Sequence, residues 1–156
     1  MLKSASNLIE QPYEEAKKEL KHIITTVVEA GETPTDKKIS MLRYVAEFSS
    51  EDEPVTNKDM LGAIGILKKD DWHRRLSNSM GKIQSALTAY IGHDSTRSLT
   101  KYYLRDEVLR AYEAKHGVRL RDDFLEILDE LLEDQTTMPE SYEFGSLFPE
   151  ITPGML

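Results

Sequence analysis

"PVTNKDMLGAIGILKKDDWHRRLSNSMGKIQSAL", residues 54–87, is the stretch on which the fold turns. Pro54 and Val55 read as a short extended piece, since proline disfavours helical dihedrals in the residue before it. Thr56 and Asp59 then stand at capping-box spacing, so Thr56 starts a short helix through Met60, Leu61 and Ile64 that Gly65 ends. A few residues later, Trp72, Leu76, Met80, Ile83, Leu87 and Tyr90 fall on one face at helical period. Two starts fit this helix: Asp70 caps a long one, or Ser77 caps a shorter one after a turn of "KKDDWHRR". With the apolar residues turned inward, the outward face presents Arg74, Arg75, Asn78, Lys82 and Ser85. Arg74, Asn78 and Lys82 align along it at steps of four.

That face is out of step with the rest of the chain. The 156 residues carry net charge −8. Residues 67–110 nevertheless hold 9 basic against 5 acidic side chains, between an acidic start (8 against 12 over 1–66) and a more acidic end (3 against 11 over 111–156). A partner within a Debye length responds to the nearest face and not to the total. The cations of the basic middle are therefore candidates for contact with a polyanion.

Outward from this stretch the pattern is helical. Pro12 suits a first turn, and Tyr13, Ala16, Leu20, Ile23, Ile24 and Val27 recur at three- and four-residue steps up to Gly31. "GETPTDKK" is a connector in which Thr35 can cap a second helix striped by Ile39, Leu42, Val45 and Phe48. Beyond residue 90, Tyr90–Ile91 and Leu99, Tyr102 and Tyr103 flank a polar linker, His93 to Arg97, as in a β-hairpin. Helices follow from Asp106 to Gly117 and over "DDFLEILDELLED". The latter sets Phe124, Leu128 and Leu131 against an acidic face of Asp122, Asp123, Glu126, Asp129, Glu130 and Glu133.

From residue 36 the order is helix, short strand, short helix, turn, helix, hairpin, helix. It resembles the winged helix-turn-helix fold. "KISMLRYVAEF" stands as the scaffold helix, "PVTNKDMLGAIGI" as strand and first helix, "WHRRLSNSMGKIQSAL" as the recognition helix and "IGHDSTRSLTKYYLRDE" as the wing. With helices on both sides, the chain looks like the dimeric regulators of the MarR type, whose terminal helices form the dimer interface. The expected fold is mainly α: a winged-helix core at about residues 36–110 inside one domain spanning 1–134. Residues 135–156 form a tail, unordered or draped on the surface. The resemblance implies a homodimeric, cytoplasmic regulator binding double-stranded DNA. Lys68, Lys69, Arg74, Arg75, Asn78 and Lys82 would line the duplex, and Arg97 and Lys101 would reach it from the hairpin. Arginine reads guanine, asparagine adenine, and lysine mostly neutralises phosphate. Arg74 and Arg75 have an alternative in pairing with Asp70 and Asp71.

Other chemistries find little footing. The chain has no cysteine, which excludes disulfides, thiolate metal sites and cysteine nucleophiles. Glu19-x-x-His22 and Glu113-x-x-His116 share the spacing of di-iron bundles, but the stripe of the first helix turns His22 to solvent. "GAIG" lacks dinucleotide-loop spacing, and no serine sits in a nucleophile elbow. No catalytic residue, metal or cofactor is expected, and no segment has the length of a membrane span. The alternative to DNA binding is a protein-interaction module. It would use the acidic last helix, or Tyr142, Phe144, Leu147 and Phe148 of the tail, on a partner's surface.

Overall fold

The computed structural model describes residues 6–67, 69–95 and 99–137, so Lys68, Arg97 and the tail from residue 138 lie outside the described residues. In chain order the elements are α1 (Ser6–Glu10), α2 (Tyr13–Glu29), α3 (Thr35–Phe48), β1 (Val55–Thr56), α4 (Asn57–Ala63), α5 (Asp71–Ala86), β2 (Ile91–Asp94), β3 (Lys101–Leu104), α6 (Asp106–His116) and α7 (Leu120–Thr137). The molecule is mainly helical, with one small antiparallel sheet.

Local chemistry sets the ends of α4. Thr56 Oγ1 accepts from the Asp59 N–H at 3.0 Å while the Asp59 carboxylate accepts from the Thr56 N–H at 3.1 Å, completing the capping box. At the other end Gly65 takes φ 84°. Its N–H donates to the Gly62 carbonyl at 3.1 Å and that of Ile66 to the Leu61 carbonyl at 2.8 Å, the paired bonds of a Schellman stop. The next helix has the longer extent, α5 beginning at Asp71 behind Asp70, but the Asp70 side chain does not cap it: its carboxylate turns back to accept from the Leu67 N–H at 3.1 Å.

The sheet has order β1-β3-β2. Val55 stands opposite Tyr102, and β2 pairs with β3 from Ile91 opposite Leu104 to Asp94 opposite Lys101. Gly92 stands opposite Tyr103, and a Cβ there would come within 2.5 Å of the tyrosine ring. The ring lies over the bare glycine, which lets two strands poor in β-branched residues pack closely. Buried Ser49 ties the sheet to α3: its hydroxyl donates to the Val45 carbonyl at 2.6 Å and accepts from the Leu104 N–H at 3.1 Å.

A single core joins Leu20, Ile24 and Val28 of α2, Ile39, Leu42 and Val45 of α3, Leu76 and Met80 of α5, and Phe124 and Leu128 of α7. Arg121 of α7 donates to the Ala46 carbonyl near the end of α3 at 2.6 Å.

Several expectations are corrected. α1 had no periodic signal; it is held by His116, whose Nε2–H donates to the Leu8 carbonyl at 2.6 Å. Thr35 is the first helical residue and makes no cap, because Pro34 already sets the entry. His93 and Asp94 belong to β2 and not to a linker. Phe48 is 56% exposed, its ring tilted against that of Tyr44 with centres 4.7 Å apart, because it lies in line with half-buried Tyr44 and one position off the buried line of Val45 and Ser49. α7 continues to Thr137, past the expected start of the tail. Asp123 is buried and not part of a solvated face. No helix of the described residues is long and apolar enough to cross a membrane.

Candidate nucleic-acid interface

The phase of α5 is fixed from inside. Leu76, Met80 and Leu87 are fully buried and Ile83 nearly so. Each is worth about 1.5–3 kcal/mol in transfer from water, far more than any surface charge could recover by rotating the helix. Arg74, Arg75, Asn78 and Lys82 are consequently exposed, as is Ser85. Ser77 and Gly81 run beside them, so the row is basic at its edges and low in relief along its middle. A Cβ added to Gly81 would meet nothing within 4 Å. The chain's own packing therefore does not require glycine there, although it weakens a helix by about 1 kcal/mol against alanine.

The hairpin is anchored to the end of this helix. Buried Gln84 donates to the Ile91 carbonyl at 2.9 Å, where β2 starts. Arg105, just past β3, donates through Nε to the Thr88 carbonyl at 2.7 Å, and its N–H reaches the Tyr90 carbonyl at 2.9 Å. Both ends of the β2–β3 unit are thus clamped to the segment leaving α5. Lys101 is exposed on β3, opposite Asp94 in the ladder. Lys69 is exposed ahead of α5.

Among the described residues, no carboxylate lies within ion-pair distance of Lys69, Arg74, Arg75, Lys82 or Lys101. The alternative pairing of Arg74 and Arg75 with Asp70 and Asp71 is not made. Arg75 instead lies over the Trp72 ring at 5.0 Å, and Trp72, expected to face inward, is 40% exposed. It stands in the first turn of α5, ahead of the helix's buried residues, where the guanidinium covers its ring.

The structure also brings to this helix residues that the sequence reading passed over. A cleft of about 860 Å³ separates α5 from the α2–α3 connector, and Arg75, Asn78 and Lys82 line one wall. Across it is Lys38, only 2% exposed, its ammonium donating to the Ala30 carbonyl. Burial pushes the Lys38 pKa below the usual lysine range. A signal was present: Lys38 precedes Leu42 by four and Val45 by seven, the inward phase of α3.

The histidines expected to fall outside any metal site are placed plainly: His22 is exposed on α2, and His116 packs between Tyr13 and Tyr112. The acidic row of α7 meets cations of its own chain. Lys17 pairs with Glu126 at 2.9 Å, Lys21 with Glu130 at 3.3 Å and Arg43 with Asp129 at 2.6 Å. No protein-family model matches this chain, and no curated protein or solved structure matches it.

Proposed function

We propose that this chain is a winged helix-turn-helix protein that binds double-stranded DNA by laying α5 in the major groove, with the β2–β3 hairpin beside it as the wing. The fold-level support is the order α3, β1, α4, α5, β2, β3 with β1 pairing to β3, the second strand of the hairpin and the centre of the sheet, the order of elements being the one that the sequence resemblance implies. The observation that carries the reading is the exposed row Arg74, Asn78, Lys82 on α5, its cations unmatched by carboxylates among the described residues.

In this reading Arg74 and Asn78 meet base edges, and Arg75, Lys82 and Lys69 neutralise phosphates. Ser77, Gly81 and Ser85 keep the helix surface low enough for the groove to approach. Lys101 contacts the backbone from the wing. The protein acts as a transcriptional regulator and as a homodimer, which would set two α5 helices about one duplex turn apart. The large exposed apolar side chains among the described residues are Phe48, Leu67, Trp72 and Leu99, none of them on α2 or α7. A dimer through the terminal helices would draw on the partly exposed Ile23 and Val27 of α2 and Leu125 and Leu132 of α7 beside polar contacts.

The experiment is fluorescence anisotropy with labelled random duplex across a salt series. Binding should weaken steeply as salt rises, because neutralised phosphates release counterions. Arg74→Ala with Lys82→Ala should cost about tenfold or more in affinity and, through the lost phosphate contact of Lys82, reduce the salt slope by about 1. Unchanged affinity and slope in that variant would remove α5 as the DNA-binding surface.

A further inference from the structure

The cleft beside α5 carries more charge than its own side chains balance. Lys38, Arg75 and Lys82 line it against a single carboxylate, Glu32. Lys38 is the unusual member, because it is almost wholly buried and uses one of its three ammonium N–H bonds, on the Ala30 carbonyl. No carboxylate among the described residues pairs with it. A buried cation left with a lone backbone acceptor is costly unless an anion arrives to complete it. The volume, about 860 Å³, is in the range that small-molecule sites occupy.

The walls narrow the chemistry. Three cations against one carboxylate leave two positive charges, matched by a phosphate monoester, which carries about −1.5 to −2 at neutral pH. Arg75 supplies the forked donor set that suits phosphate oxygens, and Asn78 adds an amide. Val27, Ile83 and Ala86 offer an apolar wall for the remainder of such a molecule, with Trp72 at the edge. Thr33 and Ser79 share a hydrogen bond of 2.8 Å across the cleft, which holds the connector to α5.

We propose that this cleft binds a small organic phosphate monoester, its phosphoryl group held by Lys38, Arg75 and Lys82, and that occupancy weakens DNA binding. The second half rests on the reading of α5 as the DNA-binding helix, because Arg75, Asn78 and Lys82 would serve both ligands. A phosphoryl group in the cleft takes up the cations that the duplex phosphates need.

Trp72 is the chain's one tryptophan, so its emission reports on the cleft directly. The full chain is titrated with phenyl phosphate, inorganic phosphate and benzoate, first without DNA. Phenyl phosphate should give a saturable change in emission, at least about tenfold tighter than inorganic phosphate, because only the ester uses the apolar wall. It should also bind at least about tenfold tighter than benzoate, because only a dianion balances the site. Lys38→Met, which keeps the buried stem, should weaken phenyl phosphate about tenfold or more. Lys82→Gln, at an exposed position that folding does not need, should weaken it less.

Absence of saturation with phenyl phosphate overturns the site, as does benzoate binding equally well. Wild-type affinity for phenyl phosphate in both variants does the same. Duplex anisotropy without ligand judges the DNA reading separately. If duplex and phenyl phosphate both bind but saturating phenyl phosphate leaves duplex affinity unchanged, the competition is overturned while the DNA reading stands.

Discussion

Two charged helix faces are treated in opposite ways by this fold. Along α7, Glu126, Glu130 and Asp129 each meet a cation from α2 or α3 within 3.3 Å. Along α5, Arg74, Arg75 and Lys82 meet no carboxylate among the described residues. The acidic face is largely neutralised by its own chain, which leaves a basic partner less to gain there. The basic face keeps its field for something outside. The total of −8 therefore says little about what approaches α5, because screening hides the distant carboxylates while leaving the nearby guanidiniums in view.

The largest effect is expected where α7 departs from its own pattern and turns a carboxylate inward. Asp123 is buried and accepts from the Tyr112 hydroxyl at 2.8 Å and from the Tyr13 hydroxyl at 3.0 Å. Asp123→Leu leaves two phenols without their acceptor and should cost about 2–4 kcal/mol in urea denaturation, against about 1–2 for Tyr112→Phe. The same cluster sets a pH dependence. Burial, then the Asp123 hydrogen bond and charge, raise the Tyr112 pKa, and burial with the Glu19 charge pushes Tyr90 up to about 12. Raised phenol pKa values give stability that is full below the ordinary tyrosine value of 10.0 and is lost as pH climbs from there through about 12. Lys38 works in the opposite direction, since burial lowers its pKa and alkali relieves the buried charge. Stability that holds level from pH 10 to 12 in wild type, with no difference in Tyr112→Phe, would detach these phenols from the fold.

Much of the frame was legible beforehand. The Thr56–Asp59 box, the Gly65 stop, the inward stripe of α5 and the hairpin after it all follow from spacing and turn chemistry, which act locally. The unread parts depend on neighbours distant in the chain. α1 owes its place to His116, more than a hundred residues away, and Trp72 is exposed because α5 begins before it reaches the core. Asp123 was read as a surface charge because a charged residue is usually solvated, and Lys38 was passed over inside a polar connector. Each sits one position from a core residue, Ile39 and Phe124, and packing drew both inward. Of the eight cations and amides expected at the interface, Arg74, Asn78 and Lys82 share one row and Arg75 flanks it. Lys101 stands on the hairpin, Lys69 ahead of the helix, and Lys68 and Arg97 outside the described residues.

A medium-sized effect sharpens the contrast at Gly81. Alanine there meets open space and should stabilise the fold by about 1 kcal/mol, read as a higher urea midpoint. If a duplex groove approaches the row of Ser77, Gly81 and Ser85, the added methyl should also weaken DNA binding, by about threefold to tenfold. A variant that is stabler and binds duplex as well as wild type would show that nothing comes close to this part of α5.

The smallest effect is the most discriminating. Lys17→Ala with Lys21→Ala removes two positive charges, the same number as Arg74→Ala with Lys82→Ala, from a chain of net −8. The lysines sit in half-exposed pairs whose loss should cost about 0.2–1 kcal/mol each in stability. If net charge governed attraction to DNA, the two double variants would lose affinity alike. If the local field of α5 governs it, the lysine variant should keep wild-type affinity and salt slope within about twofold, while the α5 variant loses both. Anisotropy on the two proteins at matched salt separates these cases, and equal losses would mean that the unpaired cations of α5 hold no special position on this surface.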